Sequence, residues 1–168
     1  MDVDVVTKPP FAVIGIEGCG RADQGPRWIA PLWEKARSRR VEVEHLIIGE
    51  GWGLMSAVDQ YLERWGDQGK YLAGWEASLE AQPPKGWIIW RVPKTTFAVV
   101  RCTVESYAAA WREFHEVFLR SGEYEPAGAV HEFYPKKFLN PATDLLCLYF
   151  TIKKAQANGV RTERRGRS

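Results

Sequence analysis

The segment Val130-His131-Glu132-Phe133-Tyr134 sets one carboxylate into an otherwise apolar and aromatic run. Read as a strand, its period of two puts Val130, Glu132 and Tyr134 on one face and His131 and Phe133 on the other. On an open face Glu132 would be an ordinary surface glutamate. In the wall of a cleft it would lose hydration, its pKa would rise unless a cation or donor compensated, and it would favour a positive or hydrogen-bond-donating guest. A carboxylate raised in this way can also hold water as a general base. These residues leave binding and water activation both open.

The other candidates for chemistry are weaker. His45, His115 and His131 fall in no metal-ligand spacing, so neither a metal nor a cofactor is expected, and His131 reads as a packing or capping residue. Gly15-Ile16-Glu17-Gly18-Cys19-Gly20 follows a strand but lacks the spacing of a phosphate-binding loop and carries an acid, which predicts a tight turn. Cys19, Cys102 and Cys147 are an odd number with no close pair, which argues against a disulfide framework and against a cysteine-rich zinc site. Cys102 and Cys147 lie in apolar runs and read as small core residues.

Eight Trp, seven Phe and six Tyr in 168 residues are a large aromatic endowment. Rings serve in cores, in protein interfaces and as walls of ligand sites. The formal charge of +2 is unevenly spread: residues 153–168 hold six Lys or Arg against Glu163 alone, so the remainder carries −3. A mildly acidic body offers no electrostatic footprint for nucleic acid, and the Arg-, Gly- and Ser-rich end reads as a disordered basic tail over 155–168. No run reaches the roughly 18 apolar residues of a membrane span, and the acidic start lacks a signal peptide's basic region. Cytoplasmic location and no membrane partner are expected.

The elements that must position Glu132 repeat one grammar. Val5 to Ile16 predicts an edge strand or two short pieces broken at Pro9-Pro10, and a helix follows, with Trp28, Ile29, Leu32, Trp33 and Ala36 at helical spacing. Leu46 to Leu54 and Tyr71 to Ala77 predict strands; in the first, Gly49, Gly51 and Gly53 leave one face bare, as though something approaches closely there. Trp87 to Val92 and Thr96 to Thr103 predict strands, Tyr107 to Leu119 an amphipathic helix bearing Ala110, Trp111, Phe114 and Phe118, and Val130 to Tyr134 and Leu145 to Ile152 the closing strands. The prediction is an α+β domain over 5–154. Two strand-helix-strand-strand repeats, about 5–80 and 87–154, form a mainly antiparallel sheet with helices on one face and a ligand cleft between them.

The second half also resembles a known family. Its parts are Trp90-Arg91-Val92-Pro93, Phe97-Ala98-Val99-Val100, the helix with Trp111 and Phe114, Tyr124-Glu125-Pro126, the His131-Glu132-Phe133-Tyr134 strand and Leu148-Tyr149-Phe150-Thr151-Ile152-Lys153-Lys154. In this order they resemble the gyrase-inhibitor-like (GyrI-like) effector-binding domains, found in multidrug-sensing transcription regulators and in free-standing proteins. The resemblance implies a duplicated fold with a ligand cleft, in which Glu132 faces a cationic or planar aromatic compound. Strand parity and helix face assign Trp52, Trp75, Trp111, Tyr134 and Tyr149 as walls, each cation–π contact worth roughly 0.5 to 2 kcal/mol. Cys147 stands where some relatives carry a second acid. Both predicted helices are consumed by the fold, so direct DNA reading is not expected.

Three functions follow as expectations. The first is a stand-alone small-molecule-binding protein. The second, implied by the resemblance of some GyrI-like proteins to hydrolases, opens electrophilic cyclopropanoid compounds, with Glu132 activating water that Tyr134 or Tyr149 orients. The third is a protein-interaction module presenting exposed aromatics.

Overall fold

In the computed structural model, which describes residues 2–136 and 138–156, eight strands and two helices alternate along the chain. They are β1 (Val3–Lys8), β2 (Phe11–Arg21), α1 (Gly25–Ser38), β3 (Ile47–Ser56), β4 (Gln68–Ala77), β5 (Ile88–Val92), β6 (Thr95–Cys102), α2 (Tyr107–Glu116), β7 (Tyr124–Tyr134) and β8 (Leu146–Lys154). The expected tail lies, from residue 157 onward, outside the described residues.

All strands join one antiparallel sheet in the order β1-β6-β8-β7-β3-β4-β2-β5. β1 pairs with β6, and β5 pairs with β2, so the first strand of each half borders the other half. Only Pro9-Pro10 connect β1 to β2, and only Pro93-Lys94 connect β5 to β6. Prolines suit these links because they end a ladder by removing a donor. Two-residue links cannot span a flat eight-stranded sheet, in which neighbouring strands stand about 4.8 Å apart. The sheet therefore curls until its ends meet.

The curl encloses Phe11, Val13, Trp52, Leu54, Leu72, Trp90, Val92, Phe97 and Val99 on the face away from the helices. The helices share the other face. Glu132 of β7 pairs with Gly53 of β3, and Gly53 with Ala73 of β4, so these three positions point the same way. Val130, two residues before Glu132, packs under α2, and Ala73 packs in the cluster under α1.

The apolar stripe of α1 settles on the sheet as its spacing predicts, with Trp28, Ile29, Leu32 and Trp33 packed against Ile14, Ile16, Ala73 and Trp75. The tight turn expected at Gly15–Gly20 is instead the continuous strand β2. Its glycines serve packing. A β-carbon on Gly18 would stand 2.7 Å from a Leu32 methyl, and one on Gly20 2.5 Å from the Trp28 ring, so bare backbone lets α1 lie close. The helix predicted over 107–119 stops at Glu116 and continues as a 3₁₀ turn over Phe118–Ser121.

Gly15 and Gly74 face each other across β2 and β4, and a β-carbon on Gly74 would lie 1.9 Å from the Ile14 carbonyl oxygen. Backbone cannot step aside as a side chain can. Gly74→Ala should therefore destabilise the fold by about 1–3 kcal/mol, lowering Tm by about 2–4 °C per kcal/mol. Gly66→Ala, which meets nothing within 4 Å, serves as the control and should leave Tm unchanged in the same thermal scan.

Candidate functional site

At the centre of the helix-bearing face β3 and β7 pair over only three positions: Gly51 with Tyr134, Trp52 with Phe133 and Gly53 with Glu132. Glu132 is 8% exposed. Its Oε1 accepts the Tyr71 hydroxyl at 2.5 Å and the Tyr134 hydroxyl at 3.2 Å. The Trp33 indole N–H from α1 in turn donates to the Tyr71 oxygen at 3.0 Å. Tyr107, in the first turn of α2, stands beside the site at the wall of the larger cleft, and its phenol also stabilises the Glu132 anion. Among the described residues no Lys, Arg or His forms an ion pair with Glu132.

Gly53 makes this convergence possible. A β-carbon there would stand 1.8 Å from the Tyr71 oxygen and 2.9 Å from Glu132 Oε1. The bare face of the Gly49-Gly51-Gly53 strand is thus filled, at Gly53, by a phenol and a carboxylate. Gly51, by contrast, keeps ordinary contact distances, with Tyr134 Cβ at 3.5 Å and the Trp33 ring at 3.7 Å.

Desolvation raises the Glu132 pKa above the ordinary glutamate range, and the three phenols, which stabilise the anion, pull it partly back. The same burial, together with the neighbouring carboxylate, pushes Tyr71, Tyr107 and Tyr134 upward, so all three remain protonated donors. His131 points to the opposite face. Its Nδ1 accepts the Met55 N–H at 3.1 Å and its pKa falls to about 3 through burial, so it is a neutral cap, as its position in the sequence suggested.

Past the Gly53–Glu132 pair β3 and β7 diverge. The loop over 57–67 wedges between them, tied by the Ala129 N–H to the Leu62 carbonyl at 2.9 Å. A cleft of about 980 Å³ opens there, walled by Tyr107, Trp111 and His115 of α2, by Trp65, and by Met55 and Val130. At the other end of the pairing a cleft of about 450 Å³ lies between α1 and the ends of β3 and β7. Glu132 lines neither cleft directly. Tyr107 stands between it and the larger one, Tyr134 and Trp33 between it and the smaller.

Of the residues singled out in the sequence, Glu132 and Tyr134 are in contact, Trp111 lines the larger cleft with Tyr107, and Trp75 walls the smaller cleft beside Trp33, with ring centroids 6.2 Å apart. Trp52 and Tyr149 lie elsewhere. They pack against each other at 4.9 Å inside the curl, on the face opposite Glu132. Parity explains this: Trp52 follows Gly51, and Tyr149 follows Leu148, which pairs with Glu132, so each points away. Tyr149 therefore cannot orient water at Glu132. Sequence reasoning missed Trp33, Tyr71 and Tyr107 as site residues. Tyr71 shares a strand face with Trp75, four positions on, and that alternation is the signal that could have found it.

A raised carboxyl pKa means that the native state binds a proton more tightly than the unfolded chain. Stability therefore falls as pH rises from the unfolded value of about 4.3 through the native one. His131 acts oppositely, its stability being lost as pH falls below about 6.5, so the difference between two proteins isolates Glu132. Glu132→Gln should gain on wild type in Tm as pH rises from about 4.5 to about 8, a ~1 kcal/mol effect being about 2–4 °C. Parallel melting curves would show that the carboxyl is not perturbed.

A family model of the GyrI-like small molecule binding domain matches residues 1–153. No curated protein matches the sequence. Among solved structures the chain is similar to SAV2435 bound to tetraphenylphosphonium, at 13% identity and a TM-score of 0.70, covering 91% of this chain and 94% of that one. It is also similar to the EcmrR C-terminal domain, at 12% identity and 0.65, covering 92% and 98%. A third is an integron cassette protein from the mobile metagenome of Vibrio cholerae, at 14% and 0.62, covering 90% and 95%. At such identities the likeness shows the fold, and the family model carries the assignment: this chain belongs to the GyrI-like small-molecule-binding domains.

Proposed function

We propose that this protein binds a cationic, planar or multi-ring organic compound, which enters by the larger cleft and is held by Glu132 and the surrounding rings. The observation that carries this reading is a buried carboxylate bonded only by phenols, with no cation beside it among the described residues. Such a group gains from an added positive charge, because attraction is stronger where water is excluded. The larger cleft suits that charge. Asp59, Glu63 and Asp67 against Arg64 give its rim an acidic balance, and Trp65, Trp111 and Tyr107 offer ring faces. Its volume falls in the range of small-molecule sites. That SAV2435 binds tetraphenylphosphonium makes this cation a natural first probe.

Tetraphenylphosphonium should quench or shift the Trp fluorescence of the full chain, and Glu132→Gln should weaken that binding at least tenfold, about 1.4 kcal/mol. Tyr107→Phe, which removes one hydroxyl but keeps the ring, should have a smaller effect. Equal affinity in the glutamine variant would sink the charge role. Failure of tetraphenylphosphonium and of every planar aromatic cation tried, with the fold intact by circular dichroism, would sink the reading altogether.

A further inference from the structure

The smaller cleft has the opposite electrical character. Its lining includes Arg37, Arg40 and Lys136 against Glu50 alone, and Glu50 Oε1 already accepts the Lys136 backbone N–H at 3.1 Å. Among the described residues none of the three cations forms a salt bridge. Both arginines are instead laid over rings, Arg37 5.3 Å from the Trp33 centroid and Arg40 4.6 Å from that of Trp75. Stacking occupies the flat face of a guanidinium and leaves the N–H groups along its edge free for a bidentate anion. Trp33, Trp75, Tyr134 and Phe138 supply aromatic walls, and Gly51 leaves part of the floor without a side chain. The space, about 450 Å³, suits a compound of two or three fused rings.

We infer that this cleft is a second binding site, which takes a planar aromatic carboxylate. The ring system slides between the aromatic walls, and the carboxylate meets the edges of Arg37 and Arg40 near the cleft mouth. The two clefts then select guests of opposite charge on either side of one tyrosine-lined carboxylate. The inference does not depend on Glu132 binding a cation.

Two probes with the same ring and opposite charge test it: 2-naphthoate and naphthalen-2-ylmethylammonium, titrated into the full chain by calorimetry at low salt. 2-Naphthoate should bind, and Arg37→Gln with Arg40→Gln should weaken it tenfold or more. The corresponding pair of lysines should recover only part of the loss, because the charge returns without the flat fork. Glu132→Gln should leave 2-naphthoate binding undiminished, so the two readings fail separately. The inference is overturned if 2-naphthoate gives no binding, if its affinity is unchanged in the double glutamine variant, or if the ammonium probe loses as much in that variant. Both arginines lie at least partly open to solvent, and circular dichroism of each variant confirms that the fold is kept.

Discussion

A single carboxylate taken out of water without a counter-charge is the constraint around which the rest is arranged. Burial of an ion costs several kcal/mol even after the surroundings relax, whereas a hydrogen bond to a charged group returns about 1.5–3 kcal/mol. Tyr71 and Tyr134 at 2.5 and 3.2 Å, with Tyr107 beside them, are thus of the right order to hold Glu132 but leave little surplus. The donors come from β4 and from β7 itself, α2 adds the Tyr107 phenol beside them, and α1 fixes Tyr71 through Trp33. Four elements drawn from both halves of the chain must meet around one side chain. The curl of the sheet and the close seat of α1 on Gly18 and Gly20 are the means by which they do.

Much of this was legible in the residues. The 3.6-residue stripe of Trp28, Ile29, Leu32, Trp33 and Ala36 gave the first helix and its buried face, and alternation through Val130 to Tyr134 placed Glu132 and Tyr134 together on one side. What escaped was whatever depends on the partner strand. Trp52 and Tyr149 look like pocket walls by type, but the face on which a strand residue falls relative to Glu132 follows from its pairing, which the sequence does not state. The glycines of β2 mislead similarly. A cluster of Gly reads as a turn when its neighbours are unknown, and as a seat for a helix once Leu32 and Trp28 stand above it. Gly53 was recognised as a place of close approach, yet the approaching groups, Tyr71 and Glu132, come from 18 and 79 positions away along the chain.

The phenols around Glu132 are not equally fixed, and the difference decides how a guest could reach it. Tyr71 is fully buried, holds the shortest bond and is itself pinned by Trp33; Tyr134 sits on the same strand as the glutamate and packs edge-on against both Trp33 and Phe138. Tyr107 is half-buried and stands in the first turn of a helix, beside the larger cleft. Its side chain can turn into that cleft, whereas moving Tyr71 would give up two hydrogen bonds and empty a packed core. On the proposed reading, the path of least cost to the carboxylate runs past Tyr107. A cation of the kind proposed, arriving that way, would set a full charge beside the carboxylate, which no neutral ring of the same shape can do.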